Sequence, residues 1–214
     1  MCETFSVPSA RITKCVAFQD NSSRVVTCMW DGGIRVWEVL KRRTLVTVPQ
    51  AHAQKIIDCD VSNNCLWIAS ASQDATCKLW SSDADVCLGK IIHLPYAVTC
   101  CRFSPTDDYL MTGDAAGEVR MFSLPHGTFC HKLSGHSSAV SEIRFLNTSP
   151  EVCMSCASEI KFWSLNKEKP LRSYPLSCPS SRKVALLTSN LIVIADNGGR
   201  LYVLSALTRV SHDT

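Results

Sequence analysis

Thr76-Cys77-Lys78-Leu79-Trp80-Ser81 is the stretch of sequence that decides the fold, because four other stretches of the chain repeat its form. In each copy, alternating apolar and polar residues lead to a large side chain, which is followed by Ser or Glu. The large side chains belong to Trp37, Trp80, Phe122, Trp163 and Leu204, at spacings of 43, 42, 41 and 41 residues. So constant a spacing indicates an internal repeat.

The alternation inside each copy has a period of two, which is typical of a β-strand with one buried face. A second apolar run precedes each copy, and turns that contain Gly, Asp or Asn join most of these pairs. Gly and Asn supply the positive φ that tight hairpins need. The sequence therefore predicts an all-β chain with four short strands in each period of about 42 residues, the size of a β-propeller blade.

Composition excludes several other classes of protein. Of the 214 residues, 46% are hydrophobic and 19% are charged, and the net charge is only +3, which argues against a nucleic-acid-binding protein. The most apolar stretch, residues 191–195, is far shorter than the ~20 residues of a membrane-spanning helix. The 13 cysteines, in a chain that begins without a secretory signal, predict mostly buried, reduced thiols and a cytoplasmic location.

The sequence contains no motif for catalysis or for a cofactor. Cys153 and Cys156 have the spacing of a zinc or redox motif but lack the second pair of ligands that zinc needs. No His, Asp and Ser residues converge by motif. We therefore expect a non-enzymatic protein without metal or cofactor.

A pattern of His, Asp and Trp residues accompanies the repeat. A His precedes a Trp by 28 residues in the second period and by 27 in the fourth, and an Asp precedes a Trp by six residues in the first two periods. The residues concerned are Asp31, Trp37, His52, Asp74, Trp80, His136 and Trp163. In these features the chain resembles WD-repeat proteins, which form β-propellers.

The resemblance implies that His, a strand Ser or Thr, the turn Asp and Trp form a hydrogen-bonded chain within a blade. The second period holds the full set, with Ser72, or Ser70 on the same strand face, as the hydroxyl residue. An unpaired buried indole or imidazole would cost about 1–3 kcal/mol. The other periods keep only part of the set, and in the third His93 lies near the expected His position.

Residues 11–207 are similar, more narrowly, to the C-terminal propeller of the apoptotic protease-activating factors, the scaffold proteins of the apoptosome. The similar stretches are residues 30–37, 58–62, 74–80, 110–120, 160–163 and 196–204. This resemblance implies a regulatory region that controls caspase activation. In that family, paired propellers restrain a nucleotide-binding module until cytochrome c docks between them.

The resemblance also bears on how many blades the chain contains. We divide it into five blades at about residues 12–52, 53–93, 98–136, 139–176 and 183–207. Residues 2–7 have the pattern of an outer strand, which could either complete the last blade of a closed five-bladed ring or belong to a preceding blade. We favour an open C-terminal arc of about five four-stranded blades, since the similar propeller is the end of a larger ring.

Proteins are the partners that the resemblance implies: cytochrome c or other apoptosome subunits. Ala139 and Ala115 stand where that family has an aromatic and an acidic residue, which weakens the case for cytochrome c. The candidate partner-binding rim consists of Trp30, Asp31, Asp74, Asp114 and Asp196, all in or beside turns. Its carboxylates would suit a basic partner, although turn chemistry alone also explains them. A generic adaptor, such as the substrate receptor of a ubiquitin ligase, is the alternative function.

Overall fold

A computed structural model describes residues 11–20, 23–82, 88–124, 126–146, 149–167, 169–176, 182–188, 191–196 and 201–205. The described residues form nineteen strands in five antiparallel sheets, with strands in chain order within each sheet. Residues 2–7, the expected extra outer strand, lie outside the described residues. The described ranges contain no helix of the length and apolarity needed to cross a membrane.

Each of the first four sheets has four strands, and the fifth has three. The first sheet comprises β1 (Ile12–Ala17), β2 (Arg24–Met29), β3 (Ile34–Glu38) and β4 (Arg43–Val48). The second comprises β5 (Ile56–Val61), β6 (Trp67–Ser72), β7 (Thr76–Ser81) and β8 (Leu88–His93). The third comprises β9 (Val98–Phe103), β10 (Tyr109–Asp114), β11 (Val119–Ser123) and β12 (Thr128–Leu133). The fourth comprises β13 (Glu142–Leu146), β14 (Ser149–Cys156), β15 (Glu159–Ser164) and β16 (Arg172–Pro175), and the fifth β17 (Arg182–Thr188), β18 (Leu191–Asp196) and β19 (Leu201–Ser205).

The core lies between successive sheets, because each sheet packs face to face against the next one along the chain. Trp80 of the second sheet packs with Val26 and Ile34 of the first. Leu79, on the opposite face of the second sheet, packs with Phe122 of the third. This face-to-face stacking of four-stranded sheets is the architecture expected of propeller blades.

The first strands of the sheets pack side by side, β1 on β5, β5 on β9, β9 on β13 and β13 on β17. Within the described ranges, β1 and β17 are not packed as neighbours, so the sheets form an open arc. The structure thus confirms both the all-β fold and the open arrangement that the sequence favours.

Cysteine serves mainly as a small core residue. Of the ten cysteines for which the structure describes the side chain, eight are buried, and only Cys15 and Cys130 are exposed. Burial raises the pKa of the Cys153 thiol to about 12, so this thiol stays protonated. Among the described residues, no three His, Cys, Asp or Glu side chains are grouped so as to hold a metal ion.

Candidate functional site

The cross-strand register places four sets of residues at equivalent positions in the first four sheets. In each sheet, a hydroxyl residue of the second strand lies opposite a basic residue of the third strand, and the large aromatic residue follows two positions later. The sets are Thr27, Arg35 and Trp37; Ser70, Lys78 and Trp80; Thr112, Arg120 and Phe122; and Ser155, Lys161 and Trp163. The three tryptophans therefore occupy the same place in their sheets.

The second sheet contains a complete hydrogen-bonded chain. The indole Nε1 of Trp80 donates to Ser70 Oγ at 2.9 Å, and that hydroxyl lies 2.6 Å from His52 Nε2. His52 Nδ1 lies 2.9 Å from Asp74 Oδ2, and Thr76 Oγ1 donates to Asp74 Oδ1 at 2.6 Å. All of these bonds are satisfied when His52 carries its proton on Nδ1.

Burial and hydrogen bonding determine the charges of His52 and Asp74 in this hydrogen-bonded chain. Burial lowers the pKa of His52 below its ordinary value, against the opposing effect of the Asp74 carboxylate. Burial tends to raise the pKa of Asp74, but hydrogen bonds from Thr76 and His52 outweigh this effect and hold the pKa of the carboxyl below its ordinary value. His52 is therefore neutral and Asp74 is ionised at neutral pH, with both side chains engaged inside the blade.

Ser70, rather than Ser72, provides the hydroxyl of the chain, so the assignment of Ser72 is wrong. Ser72 ends β6 and donates instead to the carbonyl oxygens of Gln54 and Lys55, at 3.2 and 3.0 Å. The two serines share a strand face, as the sequence predicts. Both are buried, but Ser70, which lies opposite Lys78, is the one that contacts the indole.

The fourth sheet keeps most of the chain without a turn Asp. Trp163 Nε1 donates to Ser155 Oγ at 2.7 Å, and this hydroxyl lies 2.6 Å from His136 Nε2. Glu159 approaches His136 Nδ1 only to 3.9 Å, and this buried nitrogen has no hydrogen-bond partner among the described residues. Burial lowers the pKa of His136 to about 4, which keeps the ring neutral.

The first and third sheets contain only part of this hydrogen-bonded chain. In the first, Trp37 Nε1 donates to Thr27 Oγ1 at 2.8 Å. In the third, Phe122 cannot donate, and the buried Thr112 Oγ1 has no hydrogen-bond partner in the described structure. The loss of the indole thus leaves its acceptor unused.

His93 does not take the place of His52 in the third sheet, so that prediction is wrong. His93 is an exposed residue of the outer strand β8, where it pairs with Thr76. Leu94 occupies the equivalent position, because its N–H donates to Ala75 O as that of His52 donates to Gly32 O. Because His93 lies one residue before the position equivalent to His52, a buried leucine occupies that position instead of an imidazole.

The structure divides the candidate rim residues into exposed and engaged groups. Trp30 is exposed over half of its surface. Asp31 is also exposed, and its Oδ1 accepts a hydrogen bond from the Gly33 N–H at 3.0 Å, as a turn Asp does. Asp74 is held by His52 and Thr76. Asp196 ends β18, but its side chain lies outside the described residues.

Asp114 is not an exposed rim residue, so its assignment to the partner-binding rim is wrong, although its Oδ1 accepts hydrogen bonds from the N–H groups of Ala116 and Glu118 in the turn. It is the last residue of β10, it is fully buried, and it forms an ion pair with Arg120. Gly117 N donates to Asp114 O just as Gly32 N donates to Met29 O, so Asp114 is equivalent to Met29. Ala116 then takes the turn position that Asp31 and Asp74 occupy. The turns of the first three blades have the same length, but Asp31 and Asp74 stand six residues before their Trp whereas Asp114 stands eight residues before Phe122, which explains why counting from the Asp fails.

Sequence reasoning missed a line of alternating charges that crosses four sheets, which we call the charge belt: Lys14, Asp58, Arg102 and Glu142, one on the first strand of each sheet. Lys14 Nζ lies 3.1 Å from Asp58 Oδ1, and the Arg102 guanidinium reaches Asp58 at 2.9 Å and Glu142 at 3.0 Å. Asp58, Arg102 and Glu142 are all buried. The available signal was a charged residue on each first strand, but it was ambiguous because β5 also carries Asp60 and β13 also carries Arg144.

The family described as "WD domain, G-beta repeat" matches residues 3–38, 43–81 and 86–123, which is more than half of the chain. Human apoptotic protease-activating factor 1 is 25% identical over 198 residues, 87% of this chain and 16% of that protein. From Arabidopsis thaliana, Protein SPA1-RELATED 3 is 32% identical over 163 residues and E3 ubiquitin-protein ligase COP1 is 23% identical over 155.

Each Arabidopsis match covers 71% of this chain, but 19% of SPA1-RELATED 3 and 23% of COP1. The chain therefore spans less than a quarter of the length of these curated relatives. The family match agrees with the four-stranded sheets, with the equivalent Trp positions, and with the His52–Ser70–Trp80 hydrogen-bonded chain. The chain belongs to the family of WD-repeat proteins.

Proposed function

We propose that this chain is the non-catalytic protein-interaction region of a larger apoptosome-type regulator, in which it helps to control caspase activation. The single observation that supports the interaction role is that His52 forms hydrogen bonds with Ser70 and Asp74 inside a sheet. These polar groups are engaged with one another rather than with a substrate, which suits a scaffold whose exposed loops contact other proteins. The similarity to human apoptotic protease-activating factor 1 over 87% of the chain supports the apoptosome assignment.

Apoptosome subunits are better candidate partners than cytochrome c. A strongly basic protein needs an acidic docking surface. Asp114 is buried and paired with Arg120, and Asp74 is engaged in hydrogen bonds with His52 and Thr76, which leaves Asp31 as the exposed carboxylate among the rim residues that the structure describes. We propose a cytoplasmic assembly, since unpaired thiols suit a reducing compartment.

The second candidate function is that of an adaptor in a ubiquitin ligase. It is favoured by the 32% identity with SPA1-RELATED 3 and by the similarity to E3 ubiquitin-protein ligase COP1. These identities extend over 71% of the chain, against 87% for the apoptotic factor.

Affinity purification distinguishes the two functions. The tagged 214-residue chain is expressed in cells of its source organism, and the bound proteins are identified by mass spectrometry. The control is the same tagged chain after thermal unfolding. Enrichment of a caspase or of a protease-activating factor is expected. Recovery of ubiquitin-ligase subunits instead would favour the adaptor, and recovery of neither would overturn both.

A further inference from the structure

A shallow hollow lies where the first two sheets meet, on the face that carries the turns between second and third strands. It has a volume of about 470 Å³ and is lined by Arg11, Ile12, Thr13, Trp30, Lys55 and Ile57. We call these residues the Trp30 surface. Trp30 and Ile12 are each exposed over about half of their area, 51% and 50%. Large side chains so exposed beside one another are typical of interaction sites.

Two cations lie close to the indole. Lys55 Nζ lies 3.6 Å from the centre of the Trp30 ring, and Arg11 Cζ lies 5.8 Å from it. The contacts are cation–π interactions, which at exposed sites are weak enough for the cations to bind a ligand as well. Arg11 and Lys55 therefore both present positive charge close to one aromatic ring.

The backbone fixes where these cations lie. Arg11 O accepts a hydrogen bond from Trp30 N at 2.8 Å, and Lys55 O accepts one from Gln73 N at 3.0 Å. The two residues are thus equivalent positions of consecutive blades, each just before the first strand. Ala97 O accepts from Ala115 N in the third sheet, where the same position is uncharged. The paired cations are a property of the junction between the first two sheets.

The charges of Arg11 and Lys55 are not neutralised by the described part of the chain. Neither side chain lies within ion-pair distance of a described carboxylate, whereas the nearby Lys14 is paired with Asp58. The adjacent Asp31 instead accepts a hydrogen bond from the Gly33 N–H. Two cations without carboxylate partners, beside exposed apolar side chains, form a surface complementary to a ligand that carries both negative charge and an apolar group.

We propose that the Trp30 surface docks an acidic peptide segment of a partner protein, with a carboxylate between Arg11 and Lys55 and a neighbouring apolar side chain against Trp30, Ile12 and Ile57. The proposal rests on the interaction function above and names the chemistry of one partner. A peptide fits better than a nucleic acid, because nucleic-acid sites need a longer track of cations and the apolar Ile12 and Ile57 offer no contact to phosphate.

The test starts from a display library of random heptapeptides, selected on the immobilised full 214-residue chain. Enriched peptides are labelled with fluorescein, and their affinities are measured by anisotropy for the chain and for its Lys55→Glu, Arg11→Glu and Trp30→Ala variants. Lys90→Glu is the matched control, since it makes the same charge change at an exposed position of β8. Thermal melts establish that every variant is folded.

We expect the enriched peptides to carry Asp or Glu beside an apolar residue. Their affinity should fall at least tenfold in Lys55→Glu, Arg11→Glu and Trp30→Ala, and change less than twofold in Lys90→Glu. Absence of enrichment, enrichment without acidic residues, or an equal loss in Lys90→Glu would overturn the proposal. So would displacement of the peptides by a single-stranded oligonucleotide at equal concentration.

The affinity purification described above separates this proposal from the proposed function. When it is repeated with Lys55→Glu, an acidic partner should be lost. If the same partners are recovered with the variant and the peptides also fail, the interaction function stands and the assignment of the Trp30 surface does not.

Discussion

Trp163 Nε1 donates to Ser155 Oγ across 2.7 Å, while the same hydroxyl lies 2.6 Å from His136 Nε2. A single serine therefore satisfies two buried nitrogen atoms at once. In the second sheet, Ser70 does the same for Trp80 and His52. Two buried polar groups of a blade accordingly depend on one oxygen atom.

Removing this hydroxyl should destabilise the protein measurably. Ser155→Ala leaves the indole and the imidazole nitrogen without a partner, at a cost of about 1–3 kcal/mol for each buried group. Urea unfolding measures the loss. Ser137→Ala is the control, because its hydroxyl contacts Ser158 at an exposed site, and it should change the free energy of unfolding by less than about 0.5 kcal/mol. Equal effects of the two substitutions would contradict the proposed role of Ser155.

The third sheet allows the opposite test, because Thr112 Oγ1 is buried without a hydrogen-bond partner among the described residues. Thr112→Val should leave the free energy of unfolding unchanged or raise it, since burying an unpaired hydroxyl costs free energy. Thr27→Val is the matched variant, and it should lose about 1 kcal/mol because Trp37 then lacks its acceptor. A loss in Thr112→Val as large as in Thr27→Val would show that Thr112 is bonded after all.

The charge belt predicts a large effect at its centre. Arg102→Met leaves Asp58 and Glu142 buried next to an apolar side chain and should cost about 3–5 kcal/mol. Arg144→Met removes a more exposed partner of Glu142 and should cost less than about 1 kcal/mol. Denaturant melts compare the two variants. A small effect of Arg102→Met would mean that the buried carboxylates do not depend on it.

Stability should fall as the pH is lowered from about 6.5 towards 4. Burial lowers the pKa of His136 to about 4, whereas the unfolded chain titrates near 6.5, so the unfolded state binds more protons between these values. The contribution is fully present above the unfolded pKa and is lost as the pH falls through the folded one. His52 acts in the same direction.

His136→Gln removes this titration and should flatten the dependence of unfolding free energy on pH, by about one proton at mid-range. The comparison is with His93→Gln, an exposed histidine of β8. Equal slopes for His136→Gln and the parent chain would contradict the lowered pKa.

The fold was predictable because large side chains recur at a nearly constant spacing along the sequence. Trp37, Trp80 and Trp163 lie in equivalent places because the alternation sets the register of each strand. Site residues were less predictable where the equivalent positions of two sheets are defined by backbone hydrogen bonds rather than by the number of residues along the sequence. Asp114 lies eight residues before Phe122, rather than six, and therefore falls in the strand instead of the turn. His93 lies one residue before the position that is equivalent to His52.

The charge belt could not be derived from periodicity, because its members are about 40 residues apart and become neighbours only when the sheets stack. The cationic character of the Trp30 surface was missed for the same reason. Arg11 and Lys55 belong to different repeats, and both contact the Trp30 indole only when the first two sheets stack.

The alternating signs of the charge belt also constrain how such a chain can gain or lose repeats. Deleting the second sheet alone would place Lys14 beside Arg102, and deleting the third alone would place Asp58 beside Glu142. Removing both would restore opposite charges, with Lys14 facing Glu142. Deletion of two adjacent blades from this region should therefore be tolerated better than deletion of one. The blades are not equivalent to one another in the charge that each contributes.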